Sequence, residues 1–455
     1  LILLKDAWTV AIEALSWVEL QEMNEDAALR KTLKQLRVKD RRAAIDASIL
    51  LYNVMKRRNT IDYLINSALK PLGFDVLDLG LKSFLRLYTY MIHYSGCSYS
   101  EAHLLTEHAR DILGDKKLKP IEDALDLIPY QRIPWDQLSK EEESAYRCFL
   151  PIWYVKYISR SFDEQTAADL IQPVDTPRYI RVNTLRGDDS VINRLTGSGF
   201  QFEIVPELDH TYRVLGDSNA LTATKPYREG VFIIQDKASI LVCEVAAPKP
   251  SDTVLDICAA PGVKTSHLAG IMGNRGRIIS IDSDARRLAS WTRLINRMGV
   301  TNAKSMLVDA TSDYSLSTGE VDLVILDPPC SGTGTFNTIP SGKWKVTHSL
   351  IVEKAGIQKV LIEKAAFHLK KGGSLIYSTC SVTVEENEEV IKGFLEGHPD
   401  FRLLEPKLRL GTQGLLGLRE AQRLYPSVHM CEGFFIAKLE KSRVSKEDYM
   451  SHNSL

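Results

Sequence analysis

Six short apolar runs, DTVLDI, RIISID, AKSMLV, VDLVILD, GSLIYST and GFFIAKL, follow one another between Asp252 and Leu439. The stretches between most of them have helical periodicity: VKTSHLAGIM, ARRLASWTRLINRMG, SLIVEKAGIQKVLIEKAAFHLK and EENEEVIKGFLEG. Strands that are apolar along their whole length must be covered on both faces, and intervening helices provide that cover. The pattern therefore predicts an α/β fold, a doubly wound and mostly parallel sheet. In such a sheet ligands bind at the carboxyl ends of the strands. Two runs carry a cysteine at that end: VDLVILDPPC closes at Cys330 and GGSLIYSTC at Cys380. If the two strands are neighbours, their backbones lie about 5 Å apart, and both sulfurs can reach one substrate atom.

The rest of the chain divides by pattern. Residues 1–130 are expected to be a helical domain, because RRAAIDASILLYNVM and LGLKSFLRLYTYMIHY repeat apolar residues at three- and four-residue spacing. Residues 131–165, polar and proline-marked at IPYQRIPWDQL, read as a linker and a helix. Residues 166–240 read as a small α+β module, with TPRYIRVNTL as a half-buried strand showing Tyr179, Arg181 and Asn183 on one face. The sheet domain spans 241–441, and the polar tail 442–455 is expected to be disordered. Because the first residue is Leu1 rather than Met, the natural start is expected to lie upstream.

Composition excludes several classes. No apolar run reaches the roughly 18 residues of a membrane span, and no signal-peptide pattern is present. The seven cysteines are odd in number and never spaced C-x-x-C, which argues against a disulfide framework or a metal cluster and for a reducing cytoplasm. The net charge is −1, yet residues 30–58 hold ten basic side chains against Asp40 and Asp46. Such a segment, with Arg41, Arg42, Lys56, Arg57 and Arg58 among its cations, is either a solvated helical face or a phosphate-facing patch.

VLDICAAPGVKTSHL joins the first strand of the sheet to its first helix. Ala259, Ala260 and Gly262 leave room for a ligand against the backbone, and the helix start offers free N–H groups. Asp282 ends the next strand twenty residues after Gly262, the offset at which a carboxylate receives ribose hydroxyls, and Asp309 follows the strand after that. These features point to an adenosine-type cofactor, although the G-x-G-x-x-G spacing is absent. In DPPC, two prolines remove two N–H donors and stiffen the turn between Asp327 and Cys330. A flat base fits against such a wall, with Asp327 on its edge. A thiolate adding to carbon 6 of a pyrimidine makes carbon 5 nucleophilic toward a methyl group, and a second thiol can assist elimination.

The ordered set CAAPGVKT, SIDSD, DPPCSGTGTF, GKW, STCSVTVEENE and EGFFIAKL resembles the Sun/Fmu family of RNA cytosine-5 methyltransferases, over about residues 170–440. DRRAAIDASILLYNVMKRRNTIDYLI and LKSFLRLYTYMIHY are similar to the NusB-like RNA-binding domain of RsmB-type members. The resemblance implies a Rossmann-like class I methyltransferase domain preceded by a small RRM-like module and a NusB-like domain. It implies Cys380 as nucleophile, Cys330 as the releasing group and Asp327 on the cytosine edge. It places S-adenosylmethionine against Cys258, Ala259, Ala260, Pro261, Gly262, Val263, Lys264, Asp282, Asp309 and Asp327. An RNA substrate, ribosomal in preference to transfer RNA, is expected to meet Arg178, Tyr179, Arg181, Lys343 and Trp344 besides the basic segment. A monomer without metal or membrane attachment completes the expectation. Val263 departs from the family's second glycine, and NTIPSGKW departs from its usual basic residues. Two other readings are an NAD-type oxidoreductase, which leaves both thiols idle, and a non-catalytic RNA-binding scaffold, which leaves the intact Cys–Cys–Asp set unexplained.

Overall fold

The computed structural model describes residues 2–216, 220–316 and 319–443. The polar tail therefore lies, from residue 444 onward, outside the described residues. Two compact units make up the chain: Leu1–Pro173 with Phe336–Lys345, and Val174–Thr335 with Val346–Leu455.

The first unit is helical. Its longer helices are Ile2–Leu20, Glu25–Gln35, Arg41–Lys56, Arg58–Ala68, Leu79–Tyr94 and Tyr99–Leu113. Polar caps set several starts: Asn24, Asp40 and Asp78 each accept a backbone N–H three residues on, and Ser98 with Glu101 forms a reciprocal capping box. The apolar stripes meet in one core that includes Trp8, Leu15, Leu51, Ile65, Phe84 and Leu85, each burying about 1.5–3 kcal/mol of transfer free energy. One charge lies inside it. Arg86 is 3% exposed and donates to Asp62 Oδ1 at 2.7 Å, to Asp62 Oδ2 at 3.0 Å and to Glu19. Residues 131–165, expected as a linker and a helix, are folded into this unit with helices Lys140–Arg147 and Ile152–Ser161; helix Glu164–Ile171, most of it expected in the α+β module, belongs to the unit as well. The glutamates of residues 131–165 are spent locally: Ser139 and Glu142 cap the first of these helices.

The second unit contains two sheets. Strands β1 (Arg178–Val182), β2 (Gln201–Ile204), β3 (Thr211–Leu215) and β4 (Phe232–Ile234) form a small antiparallel sheet in the order β2-β3-β1-β4. The larger sheet comprises β5 (Thr253–Ile257), β6 (Arg277–Asp282), β7 (Ala303–Leu307), β8 (Val321–Leu326), β9 (Leu369–Thr379), β10 (Phe401–Leu404), β11 (Thr412–Gln413), β12 (Gln422–Leu424) and β13 (Phe434–Lys441). Its order is β11-β12-β13-β9-β8-β5-β6-β7, with β10 on β13. Strands β5 to β9 are mutually parallel, and β13 runs antiparallel to β9. This is the Rossmann-like α/β architecture expected from the strand–helix alternation. In β8 five of six residues are buried, as a strand covered on both faces requires. The helix Ala285–Met298 shows the matching stripe, burying Leu288, Trp291, Ile295 and Met298 while its arginines stay outside.

The helix after the second cysteine begins at Glu388, three residues later than EENEE suggests. Glu386 and Asn387 precede it, wholly buried, with their side chains turned onto the cysteine loops.

Candidate active site

Strands β8 and β9 are parallel neighbours, with Leu326 paired to Tyr377. Both therefore deliver their carboxyl ends to the same edge of the sheet. Cys330 follows β8 by four residues and Cys380 follows β9 by one, and their sulfurs lie 3.2 Å apart. The Cys380 thiol is raised well above the usual thiol range. Its hydrogen bond with Cys330 is the first cause, followed by burial and by the charges of Cys330, Asp327 and Glu432. At rest it holds its proton.

Asp327 lies between the two strand ends and the first helix of the sheet. Lys264 Nζ donates to Asp327 Oδ2 at 2.6 Å, and Ser378 Oγ donates to Oδ1 at 3.4 Å. Burial acts to lower the Lys264 ammonium, but the Asp327 carboxylate outweighs it and holds the lysine above its ordinary value. Lys264 stands in the loop expected to hold cofactor, yet its side chain serves Asp327. The sequence contains no pairing signal for this, since 63 positions separate the two residues.

Below the thiols is a buried hydroxyl network. Glu386 accepts from Ser331 N at 2.7 Å, Ser331 Oγ, Ser381 Oγ at 2.6 Å, Thr383 Oγ1 at 2.7 Å and Gln358 Nε2 at 3.1 Å. Asn387 Nδ2 donates to Ser381 O at 2.9 Å. Gly334 N donates to Cys380 O at 2.9 Å, and a Cβ on Gly334 would come within 1.9 Å of Gly433 O. Only glycine permits that close approach beside the Cys380 loop. Glu386, Asn387 and the Lys264 partnership are what sequence reasoning missed. The one available signal was the density of donors in STCSVT, which demands a buried acceptor nearby.

The cofactor loop follows β5. Cys258 has φ +61, and Gly262 has φ +102 with a Cβ position only 2.8 Å from Trp291 Cδ1, so that turn requires glycine. Ala260 N donates to Asp282 Oδ2 at 3.1 Å and Asp284 N to Asp282 Oδ1 at 3.1 Å, while Arg287 Nη1 lies 3.4 Å from Oδ2. A carboxylate accepts about four hydrogen bonds, so Asp282 retains capacity for a hydroxyl. Asp309 is exposed; the Thr311 hydroxyl and N–H bond its Oδ1 and hold it below the usual carboxylate value. Burial, followed by Asp327 and Asp282, pushes the Cys258 thiol up to about 12, so it stays neutral. Val263 packs its side chain against the core, which accommodates the departure from glycine. Small residues, an uncapped helix start and two acidic strand ends fit an adenosine-type cofactor.

Several expected RNA contacts are corrected. In β1 only Arg178 is exposed. Tyr179 is 3% exposed, joins the core around Ile240 and Leu241, and donates its hydroxyl to Met430 O. Arg181 is also 3% exposed and donates to Gln235 Oε1 at 3.0 Å and Ser266 Oγ at 3.2 Å; burial drops it to about 10. Asn183 donates to Gly230 O and Met298 O. The polar face of this strand therefore holds structure together and is not open to RNA. In the helical unit, Lys343 is 2% exposed, donates to Phe149 O at 3.2 Å and is lowered to about 7 by burial, then by Lys56 and Arg57. Trp344 donates to Met55 O at 2.7 Å and packs on the helical core. Arg57 lies over the rings of Tyr90, Tyr94 and Phe149, and Arg58 pairs with Asp62. Arg41 and Arg42 remain exposed, and Lys56 is half-buried. Among the described residues no group of three or more His, Cys, Asp or Glu side chains is placed to hold a metal ion. No helix among them is long and apolar enough to cross a membrane.

Comparison with known proteins agrees with this geometry. The family model for 16S rRNA methyltransferase RsmB/F matches residues 243–440. A Synechocystis protein named probable ribosomal RNA small subunit methyltransferase B is 28% identical, over 95% of this chain and 100% of its own. A Pyrococcus horikoshii tRNA (cytosine(72)-C(5))-methyltransferase is 36% identical, over 49% of this chain and 55% of its own. The crystal structure of PH0851 superposes with a TM-score of 0.85 at 30% identity, covering 96% of this chain and 99% of that one. The chain belongs to the RsmB/F family of methyltransferases.

Proposed function

We propose that this protein methylates carbon 5 of a cytosine in structured RNA, with S-adenosylmethionine as donor and Cys380 as nucleophile. The observation that carries the reading is the sulfur pair, 3.2 Å apart at adjacent strand ends beside a lysine-held carboxylate. The NAD-type reading leaves this arrangement without work. S-adenosylmethionine supplies the methyl group when bound. Residues 258–264 would shape its place, Asp282 would accept ribose hydroxyls, Asp309 would lie at the same edge, and Asp327 stands between the cofactor loop and the thiols. The target base is unpaired or flipped to enter.

Asp327 orients the cytosine edge, and Lys264 fixes the direction of that carboxylate. The Cys380 thiol gives up its proton to solvent as its sulfur bonds to carbon 6. The carbon 5–carbon 6 electron pair then shifts to carbon 5, which takes the methyl group. Loss of the carbon 5 proton, assisted from the Cys330 side, restores the double bond as the carbon 6–sulfur bond breaks toward Cys380.

The ribosomal name of the full-length relative favours rRNA, and the tRNA name of the other keeps transfer RNA as the second substrate class. We read the helical unit as NusB-like and the β1–β4 sheet with helix Ser190–Gly197 as RRM-like, with Arg178, Arg41, Arg42 and Lys56 as the remaining phosphate contacts. A monomer acting in the cytoplasm belongs to the same reading, supported by seven free cysteines. The test is a methyl-transfer assay with denaturing gels. Cys380→Ala abolishes methylation and keeps cofactor binding, whereas Cys330→Ala accumulates an RNA–protein adduct through Cys380. Turnover near wild type in Cys380→Ala, or no adduct with competent RNA in Cys330→Ala, overturns the covalent reading.

A further inference from the structure

Glu386 is fully buried, and five donors converge on its carboxylate. A carboxylate has about four acceptor positions, so its capacity is filled. The donors come from both cysteine loops. Ser331, immediately after Cys330, gives its backbone N–H and its hydroxyl. Ser381, immediately after Cys380, gives its hydroxyl, and Thr383 gives another. Gln358 Nε2 divides between Glu386 Oε1 and Pro329 O, both at 3.1 Å, and so links the carboxylate to the turn before Cys330. Tyr377 OH donates to the Glu386 backbone carbonyl at 2.6 Å, which fixes the residue against β9.

We propose that Glu386 is the positioning residue that sets the spacing of the two thiols, by tying together the residues that follow Cys330 and Cys380. The inference rests on the two-thiol reading of the reaction and names a residue that touches neither substrate nor cofactor. Strand pairing places the two strand ends side by side but ends at Leu326, and the stiff DPPCS turn beyond it lacks ladder hydrogen bonds to β9, so it can shift as a unit. The carboxylate removes that freedom. Its two oxygens do different work. Oε1 takes the Ser331 N–H and Gln358, and Oε2 takes three hydroxyls. Hydroxyls rotate and can accept as well as donate. A glutamine at 386 can therefore keep its oxygen toward Ser331 N and offer its NH2 to the hydroxyl side. An aspartate keeps the charge but is one methylene short of spanning both loops.

Thiol spacing is read directly with diamide. The reagent oxidises two neighbouring thiols to a disulfide while its N=N bond is reduced to a hydrazine that takes up both protons. Peptide mapping of the whole protein follows the Cys330–Cys380 link against time, and methyl transfer is measured in parallel. Glu386→Gln links at the wild-type rate and retains kcat. Glu386→Asp and Glu386→Ala link at least 10-fold more slowly and lose roughly 100-fold in kcat, the cost of an ångström-scale misplacement. KM for RNA and the Kd for S-adenosylmethionine stay near wild type, which a general loss of folding would not allow. Should the alanine variant fail to fold, the aspartate variant carries the test. Wild-type linking and kcat in Glu386→Asp, or equal loss in Glu386→Gln and Glu386→Asp, overturns the proposal. Slow linking with undiminished methylation upholds the spacing role and overturns the two-thiol reaction instead.

Discussion

Arg423 and Glu388 form an ion pair that is 1% and 0% exposed, tied to the Cys380 loop through the Val382 carbonyl. Arg423 Nε donates to Glu388 Oε1 at 2.6 Å, Nη2 donates to Oε2, and Nη1 donates to Val382 O at 2.8 Å. Leu415 N adds a third hydrogen bond to the carboxylate at 2.9 Å. Arg423→Met fills a similar volume but strands a buried carboxylate and leaves the Val382 carbonyl without its donor. Breaking a buried pair from one side costs about 3–5 kcal/mol. The position of Glu388 in the first helical turn offsets about 0.5 kcal/mol of that through the helix dipole. The net expectation is a loss of about 3.5 kcal/mol in this unit. Hydrogen exchange followed in peptides of β5 and β8 reads it as roughly a 400-fold faster opening. The double variant Glu388→Gln/Arg423→Met removes both charges and recovers most of the loss, because the penalty lies in the uncompensated carboxylate and not in the missing attraction. A single variant within about 1 kcal/mol of wild type, or a double variant no better than the single, refutes the reasoning.

Three further outcomes follow from the structure. Burial is the main cause that raises Asp256 to about 7, against the 2.6 Å hydrogen bond from Thr265. Between its unfolded value near 3.9 and 7 the native state binds the extra proton, so its contribution to stability is greatest at low pH and is lost as pH rises through 7. Asp256→Asn should leave stability unchanged near pH 4 and raise it by up to about 4 kcal/mol at pH 8, measured by urea denaturation at both pH values. Lys264→Met deprives Asp327 of a charge-assisted hydrogen bond worth about 1.5–3 kcal/mol, and kcat/KM should fall roughly 10- to 100-fold with S-adenosylmethionine still bound by calorimetry. Arg41→Gln with Arg42→Gln should reduce the slope of log affinity against log salt for RNA by about 1 to 2, since each phosphate contact contributes about 0.7–0.9; an unchanged slope reduces that helix face to a solvated surface.

Periodicity alone was sufficient for β5 to β9 and β13 of the sheet domain, but not for the short strands β10, β11 and β12. A strand apolar on both faces has few places to go except the middle of a covered sheet, and the motifs at its ends mark the ligand edge. The neighbouring positions of VDLVIL and GSLIYST were a condition of that reading, and the β8–β9 pairing meets it, bringing Cys330 and Cys380 together. Alternation failed at TPRYIRV, where polar residues on one face were read as exposed. Arg181 and Asn183 are buried because internal acceptors satisfy them, and no local pattern distinguishes a satisfied polar residue from a solvated one. The same ambiguity applied to Lys343 and Trp344.

The chain sequence by itself determined the α/β class, the order of strands and helices, the two strand-end thiols and the acidic strand ends around the cofactor loop. Those are consequences of short-range spacing, which sequence records directly. Only the tertiary structure decided what each polar group is spent on: Lys264 on Asp327, Arg423 on Glu388, and Glu386 on both cysteine loops. A buried charge or hydroxyl is tolerated only where donors and acceptors match in three dimensions, and those partners come from elements dozens of residues apart. The 3.2 Å between two sulfurs therefore starts from strand pairing, but its precision is held by a carboxylate that the sequence signals only through the donors of STCSVT.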